Sequence, residues 1–252
     1  VVESGAGELS GFSDRMYEER GAGIVSDAYA QADVILAVRA AAAAGDETPR
    51  TSEGQTIIGF LEPYAPHPAF AELVKQKATA LSMELIPRIT RAQSMDALSS
   101  MANLAGYRAA ILAAEALPKM FPMMMTAAGT IVPAKVFIVG VGVAGLQAIA
   151  TTKRLGAVVN AYDVRPAVRE QVESLGASFV EVPLEERDTE SSGGYAKELS
   201  ERNQEKQREV IHEHVKKSDI VITTALIPGK PAPLLVTEEM VNDMKPGSVV
   251  VD

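Results

Sequence analysis

Three glycines, Gly140, Gly142 and Gly145, stand in a GxGxxG spacing inside KVFIVGVGVAGLQAIATTKRLGA, directly after an apolar run. Each position answers a separate need. A glycine at 140 lets the chain turn tightly, one at 142 lets backbone approach a pyrophosphate, and one at 145 lets a helix pack close to a strand. The helix that opens at Val143 and Ala144 presents free N–H groups and a partial positive charge to phosphate oxygens. Asp163 ends the next apolar run, VVNAYD, where a carboxylate accepts hydrogen bonds from ribose hydroxyls. The pattern predicts a dinucleotide site in which Gly140, Gly142, Val143, Ala144, Gly145, Asp163 and Val164 touch the cofactor. The aspartate favours NAD(H), because the 2′-phosphate of NADP(H) would face a carboxylate. Arg165, two residues on, either grips a phosphate or lies across the adenine ring.

A second group of polar residues lies in PRITRAQSMDALSS, residues 87–100. It holds Arg88, Gln93 and Asp96 with the hydroxyls of Thr90, Ser94, Ser99 and Ser100, and it contains no His, Cys or Lys. Donors and acceptors without a proton-transfer base suit the orientation of a carboxamide and a ribose. The plain alternative is a polar helix cap. A third stretch, TTALIPGKPAP at 223–233, leaves a strand end on the side of a sheet where ligands bind, and Thr224, Ala225 and Leu226 are expected to contact the cofactor. Ordinary turn chemistry is the alternative there. His67 follows a proline and is expected to cap a helix, whereas His212 and His214, two apart on a charged helix, face different directions and cannot share a metal. No HExxH and no clustered carboxylates occur, so no metal site is expected. Met123, Met124 and Met125 are expected to pack in a core or, as the second choice, to line an apolar cofactor pocket.

The elements that must position these residues follow a repeated grammar of short β-branched strands and amphipathic helices. Strands are predicted at 33–38, 56–61 and 79–85, then at 135–140, 158–163, 177–182, 219–225 and 248–252. Helices are predicted at 12–20 and 67–78, and a long one at 93–117 that the proline-bounded 118–122 segment ends. Such βα alternation implies parallel sheets with right-handed crossovers. The expected fold is α/β, with two Rossmann-like parallel-sheet domains and a cofactor cleft between them. Its parts are a first domain at 1–92, a linking helix at 93–122 and a dinucleotide-binding domain at 123–252. Residues 39–54 read as a surface connection. The connection at 183–209 is long and charged, centred on Gly193-Gly194-Tyr195. It reads either as a lid or as a solvated charged helix after a loose turn. Both ends read as truncated: VVESGAG resembles a strand end entering a turn, and SVVVD stops on an apolar strand.

Composition sets the outer bounds. The 252 residues are 47% apolar and 23% charged, with a formal net charge of -9. That charge, with no basic cluster, argues against nucleic acid or anionic membrane as the main ligand. There is no cysteine, hence no disulfide and no thiolate chemistry. No apolar run is long enough to span a bilayer.

Taken together, PRITRAQSMDALSSMANLAGYRA, FPMMMTAAGT, VGVGVAGLQAIATTKRLGAVV, EQVESLGA, GGYAKE and TTALIPGKPAP closely resemble the NAD(H)-binding component of proton-translocating nicotinamide nucleotide transhydrogenase. The resemblance runs along nearly the whole chain and is weakest at 8–13, 40–54 and 62–70. It implies two Rossmann-like domains, a homodimer, and NAD(H) bound on this component. It also implies NADP(H) bound on a partner domain, with hydride exchange coupled to proton movement through a membrane domain. A soluble domain on the cytoplasmic face of a bacterial inner membrane, or on the mitochondrial matrix side, is implied with it. Carried over by position, Arg88, Gln93 and Asp96 match the loop that reaches the nicotinamide end, and Ser99 a contact at the helix start. Asp163 matches the ribose ligand and Tyr195 the tip of a mobile loop. The sister family, alanine dehydrogenase, carries a lysine after the strand matching DVILAV, where this chain has Arg39, and a histidine soon after the strand matching TIIGFL, where His67 falls later. An amino-acid dehydrogenase and a non-catalytic NAD-binding regulatory module are therefore the two alternatives.

Overall fold

The computed structural model describes residues 1–39, 50–64, 67–182, 200–227 and 229–252, which fall into two compact units, Val1–Leu98 and Ser99–Asp252.

In the first unit β1 (Val2–Glu3) and β2 (Ile24–Val25) pair in parallel around α1 (Asp14–Glu18). Asp14 ties the turn between them by accepting from Ser4 Oγ at 2.6 Å and from the Gly5 N–H at 2.8 Å. A three-stranded parallel sheet follows, ordered β3 (Val34–Arg39), β4 (Thr56–Phe60), β5 (Thr79–Ser82), with α2 (Pro68–Lys75) before β5. Its core is Ile35, Ile57, Leu61, Ala69 and Leu73. His67 caps α2 as expected: its Nδ1 accepts from the Ala69 N–H at 3.1 Å, and Pro68 supplies the first helical residue. The strand expected over 79–85 stops at Ser82. There the chain enters a 3₁₀ turn, Met83–Leu85, and Glu84 folds back to accept from the Leu61 and Glu62 N–H groups at 3.1 and 2.9 Å.

The helix expected from residue 93 begins later. Thr90–Met95 is a 3₁₀ helix, Asp96 breaks it at ψ 80°, and α3 starts afresh at Ala97 and runs to Ala116. That ψ lies outside the helical region, so Gln93 and Ser94 sit on a separate short turn that Asp96 closes. Next, β6 (Met124–Thr126) and β7 (Gly129–Ile131) form an antiparallel hairpin. The packing expected of its methionines is not found within the unit: Met123, Met124 and Met125 are 64%, 42% and 85% exposed, because a two-stranded ribbon has no second layer to bury them.

The rest of the second unit alternates strictly: β8 (Lys135–Val139), α4 (Val143–Arg154), β9 (Val158–Tyr162), α5 (Arg169–Ser174), β10 (Ser178–Phe179), α6 (Glu201–Val215), β11 (Ile220–Thr223), α7 (Glu238–Asn242) and β12 (Val249–Val251). All five strands run parallel in the order β10-β9-β8-β11-β12. Both faces of the sheet are covered. Val136 and Ile138 join a core with α3, α4 and α5, whereas Phe137 and Val139 join a second core with Ile211 and Val215 of α6 and Met240 of α7. This two-sided burial explains why β8 is continuously apolar instead of alternating. The strand order reverses between β8 and β11, which opens a crevice beyond their carboxyl ends.

The amino-terminal edge of the same sheet is pinned by Asp219. Its carboxylate accepts from Lys119 Nζ and from the Lys135 N–H, both at 2.8 Å, with Lys245 Nζ at 3.5 Å. Burial pushes this carboxyl up, but Lys119, the Lys135 N–H and the charge of Lys245 outweigh it and hold the group below the ordinary aspartate range. A depressed folded-state pKa gives stability that is present above the unfolded value and lost as pH falls through the folded one. Urea midpoints are therefore expected to decline below about pH 4. Asp219→Asn should lower stability by about 1–3 kcal/mol at neutral pH and flatten this acid limb. An unchanged acid limb in the variant would remove Asp219 as its source.

Candidate dinucleotide site

The site is built from β8 outward. The chain leaves Val139, turns at Gly140 with φ +94°, and enters α4 with Gly142 as its N-cap. Any side chain at 140 is strained by that φ, and a Cβ there would meet the Ala225 nitrogen at 2.7 Å. A Cβ at Gly145 would lie 2.0 Å from the Gly140 carbonyl oxygen, so the helix closes on its own loop only through glycine. Gly142 differs: nothing lies within 4 Å of its added Cβ, which leaves that side open for a ligand. The first-turn N–H groups at Val143 and Ala144 have no intrahelical partner and belong to this open end. Thr224 donates its hydroxyl to the Gly140 carbonyl at 2.7 Å and so braces the turn. Sequence reasoning missed one member of this packing. A Cβ on Gly106, in α3, would come within 2.0 Å of the Ala144 carbonyl oxygen, so that helix too depends on a glycine to touch the loop.

Asp163 sits at the end of β9, buried, and joins the loop directly: its Oδ2 accepts from the Val141 N–H at 2.7 Å. Arg165 turns onto the same carboxylate. Its Nε and Nη2 donate to Asp163 Oδ1 and Oδ2 at 2.8 and 2.9 Å, and Nη2 also reaches the Val141 carbonyl at 3.3 Å. The pair is electrically neutral, so the carboxylate meets an incoming ligand with its charge compensated.

A cavity of about 430 Å³ opens from this point. Gly140, Asp163 and Val164 form one wall, and Ala225, Leu226 and Ile227 continue it beyond β11. Pro231, Pro233, Leu234 and Leu235 make the apolar side, while Gln204, Gln207 and Arg208 enter from α6. A cavity of this size with an apolar wall and a few polar groups suits the adenosine part of a dinucleotide. The α6 residues were missed because 201–209 read as part of a charged connection. In the structure α6 buries Asn203, Gln207, Ile211 and Val215, four residues apart each time, and packs Ile211 and Val215 against the sheet. The signal was there as i, i+4 spacing, but two of its four members are polar. Gln207 lies beside the Tyr162 hydroxyl, whose ionisation is pushed well above its ordinary range, chiefly by burial.

The second predicted group is partly assembled. Arg88 and Asp96 form an ion pair at 3.8 Å. Gln93 lies between them on the 3₁₀ turn, with an exposed side chain. Ser99 is in the first turn of α3. Tyr195 and residues 183–199 of the connection read over 183–209 as a lid or a charged helix lie outside the described residues, and the remainder of that connection opens α6. The histidines are used structurally: His212 pairs with Asp243 at 2.8 Å, and His214 stacks on Phe137 with ring centres 5.2 Å apart. Among the described residues no cluster of three or more His, Asp or Glu has metal-binding geometry, and no helix is long and apolar enough to cross a membrane.

Residues 1–105 match the N-terminal domain of the alanine dehydrogenase/PNT family, and residues 109–252 match its C-terminal domain. Along its full length the chain is 54% identical to an NAD(P) transhydrogenase subunit alpha chain of Rhodospirillum rubrum, of which it covers 67%. It is 51% identical to NAD(P) transhydrogenase subunit alpha of Cereibacter sphaeroides and covers 49% of that protein. The chain thus spans from about half to about two thirds of these relatives' lengths. Alanine dehydrogenase of Mycolicibacterium smegmatis is more distant, at 29% identity. Among solved structures, the transhydrogenase from Sinorhizobium meliloti superposes with a TM-score of 0.85 at 52% identity, covering all of this chain and 68% of that one. An L-alanine dehydrogenase shares the fold, with a TM-score of 0.74 at 23% identity. The chain belongs to the alanine dehydrogenase/PNT family, on its transhydrogenase subunit alpha side, and is an oxidoreductase component.

Proposed function

We propose that this chain binds NAD(H) and carries the NAD(H) half of a direct hydride exchange, with NADP(H) held on a partner domain. The observation that carries the reading is the glycine loop of α4 with Asp163 fixed beside it at the mouth of the β8–β11 crevice. Such a loop binds a pyrophosphate through backbone N–H groups, and an acidic residue at the next strand end binds a ribose. Gly140, Gly142, Val143, Ala144 and Gly145 hold the phosphates; Asp163, Val164, Arg165, Ala225 and Leu226 surround the adenosine; Thr224 braces the loop. Arg88, Gln93, Asp96 and Ser99 hold the nicotinamide end. Hydride passing between two nicotinamides needs both rings oriented at near contact and needs no proton acceptor, which fits a group with no acid–base residue. Coupling to proton movement through a membrane domain, a homodimeric state, and a place at the membrane surface belong to the same proposal. The place of His67, at the N-cap of α2 and not directly after β4, favours it over an amino-acid dehydrogenase.

A mixing experiment separates the readings. The protein should bind NADH alone, and should reduce an acetylpyridine NADP analogue only after an NADP-binding transhydrogenase component is added. Reduction of pyruvate in the presence of ammonia would instead make it a dehydrogenase. Binding without either reaction would make it a regulatory module.

A further inference from the structure

The carboxylate assigned to the ribose is already fully engaged. Two carboxylate oxygens offer about four lone-pair positions. Four donors meet them here: the Val141 N–H and Arg165 Nη2 on Oδ2 at 2.7 and 2.9 Å, and the Arg165 N–H and Nε on Oδ1 at 2.9 and 2.8 Å. The two side chains are only 14% and 6% exposed, so water does not readily exchange into the pair. A ribose diol arriving with two hydroxyl protons finds no acceptor left on Asp163. The two backbone N–H donors are held by the glycine loop and by the turn after β9 and cannot withdraw. The guanidinium, held through side-chain contacts, is the donor group that side-chain rotation can move.

Resting on the NAD(H) reading above, we propose that Arg165 is an internal occupant of the ribose-binding carboxylate, which the cofactor displaces, and that Arg165 thereby sets both cofactor affinity and selectivity at the 2′-position. Before binding, it competes with the ribose diol for the same lone pairs. Apparent affinity is then reduced by the fraction of molecules whose carboxylate is free. After displacement the guanidinium remains beside the 2′-position, where its charge offsets the repulsion between Asp163 and a 2′-phosphate. Arg165 is thus a specificity-determining residue whose two effects have opposite signs for the two cofactors. It weakens NADH and softens the rejection of NADPH.

The test is calorimetric titration of the wild type, Arg165→Ala, Asp163→Asn and the double variant with NADH and with NADPH, alongside thermal melts. In Arg165→Ala, NADH should bind about tenfold more tightly, as expected for release of one charge-assisted contact. NADPH should bind more weakly than to the wild type. With Asn at 163 the competition no longer exists, so removing Arg165 should give no tightening of NADH. A purely structural arginine would weaken both cofactors together and would show no such dependence on Asp163. If Arg165→Ala does not fold, Arg165→Lys keeps the charge without the two-pronged contact and must still tighten NADH. Folded variants with unchanged or weaker NADH binding overturn the inference while leaving the NAD(H) reading intact. Absence of any dinucleotide binding to the wild type overturns that reading, and the inference with it.

Discussion

Gln93→Asn is expected to slow hydride transfer on the order of 100-fold while leaving NADH affinity nearly unchanged. Shortening the side chain by one methylene moves the carboxamide by about 1 Å, and a displacement of that size between reacting groups costs roughly this factor. Affinity should hold because most binding comes from the pyrophosphate and adenosine ends, which the proposal gives to the α4 loop and the cavity beyond it. The side chain is exposed on the 3₁₀ turn Thr90–Met95, so its loss leaves no cavity and no buried polar group. An acid–base residue would produce a defect with a midpoint at its own pKa. Gln93 does not titrate, and its defect should be flat with pH. The measurement is single-turnover transfer from NADH to an NADP analogue with the NADP-binding component present. Unchanged transfer, or a defect that disappears at one end of the pH range, would show that Gln93 is not the nicotinamide clamp.

Substitutions in the glycine loop should separate folding from binding just as sharply. In Gly145→Ala the new methyl would sit 2.0 Å from the Gly140 carbonyl oxygen, a backbone atom that cannot swing aside. Helix and loop must separate, at a cost of about 3 kcal/mol or more, the upper end for overpacking. The melting temperature should fall by several degrees and NADH binding should be lost with it. Gly142→Ala is the opposite case. Its φ of −82° is open to alanine and its Cβ meets nothing within 4 Å, so folding should be unaffected. The methyl would project into the space that the proposal gives to the pyrophosphate, and NADH should bind at least tenfold more weakly, a loss of about 1.4 kcal/mol or more. A normal Tm with normal NADH affinity in Gly142→Ala would place the pyrophosphate elsewhere. A normal Tm in Gly145→Ala would mean the loop is looser than its packing implies.

Features that follow from local rules were legible in the chain itself. Strand positions came through because β-branched runs of the right length have few other conformations. The glycine spacing and the aspartate after β9 are local as well, since a tight turn, a helix start and a strand end lie within one βα unit. His67 as a cap needed only the proline beside it. The ends of elements were less clear. The break at Asp96 depends on a single backbone torsion, and the early end of β5 depends on Glu84 reaching back to Leu61 and Glu62 across the chain.

Which surface each polar residue meets was settled only when the chain packed. Residues 201–209 carry enough Glu, Lys and Arg to read as solvated, yet α6 buries Asn203, sets Gln207 beside Tyr162 and turns Gln204 and Arg208 to the cavity. Gly106 has no local signature, because its need for a bare α-carbon comes from Ala144 on another helix. Arg165 had two readings by residue type, and neither contained its pairing with Asp163, since the direction of a long side chain is set by the acceptors that the fold brings near it. A glycine turn opening a helix and an acidic strand end could be read from the chain, because each is written within a few neighbouring residues. That the acidic residue is already paired, and that a helix from further along the chain closes the cavity, came from the packed fold. Both depend on contacts between segments whose spacing in sequence carries no information about their distance in space.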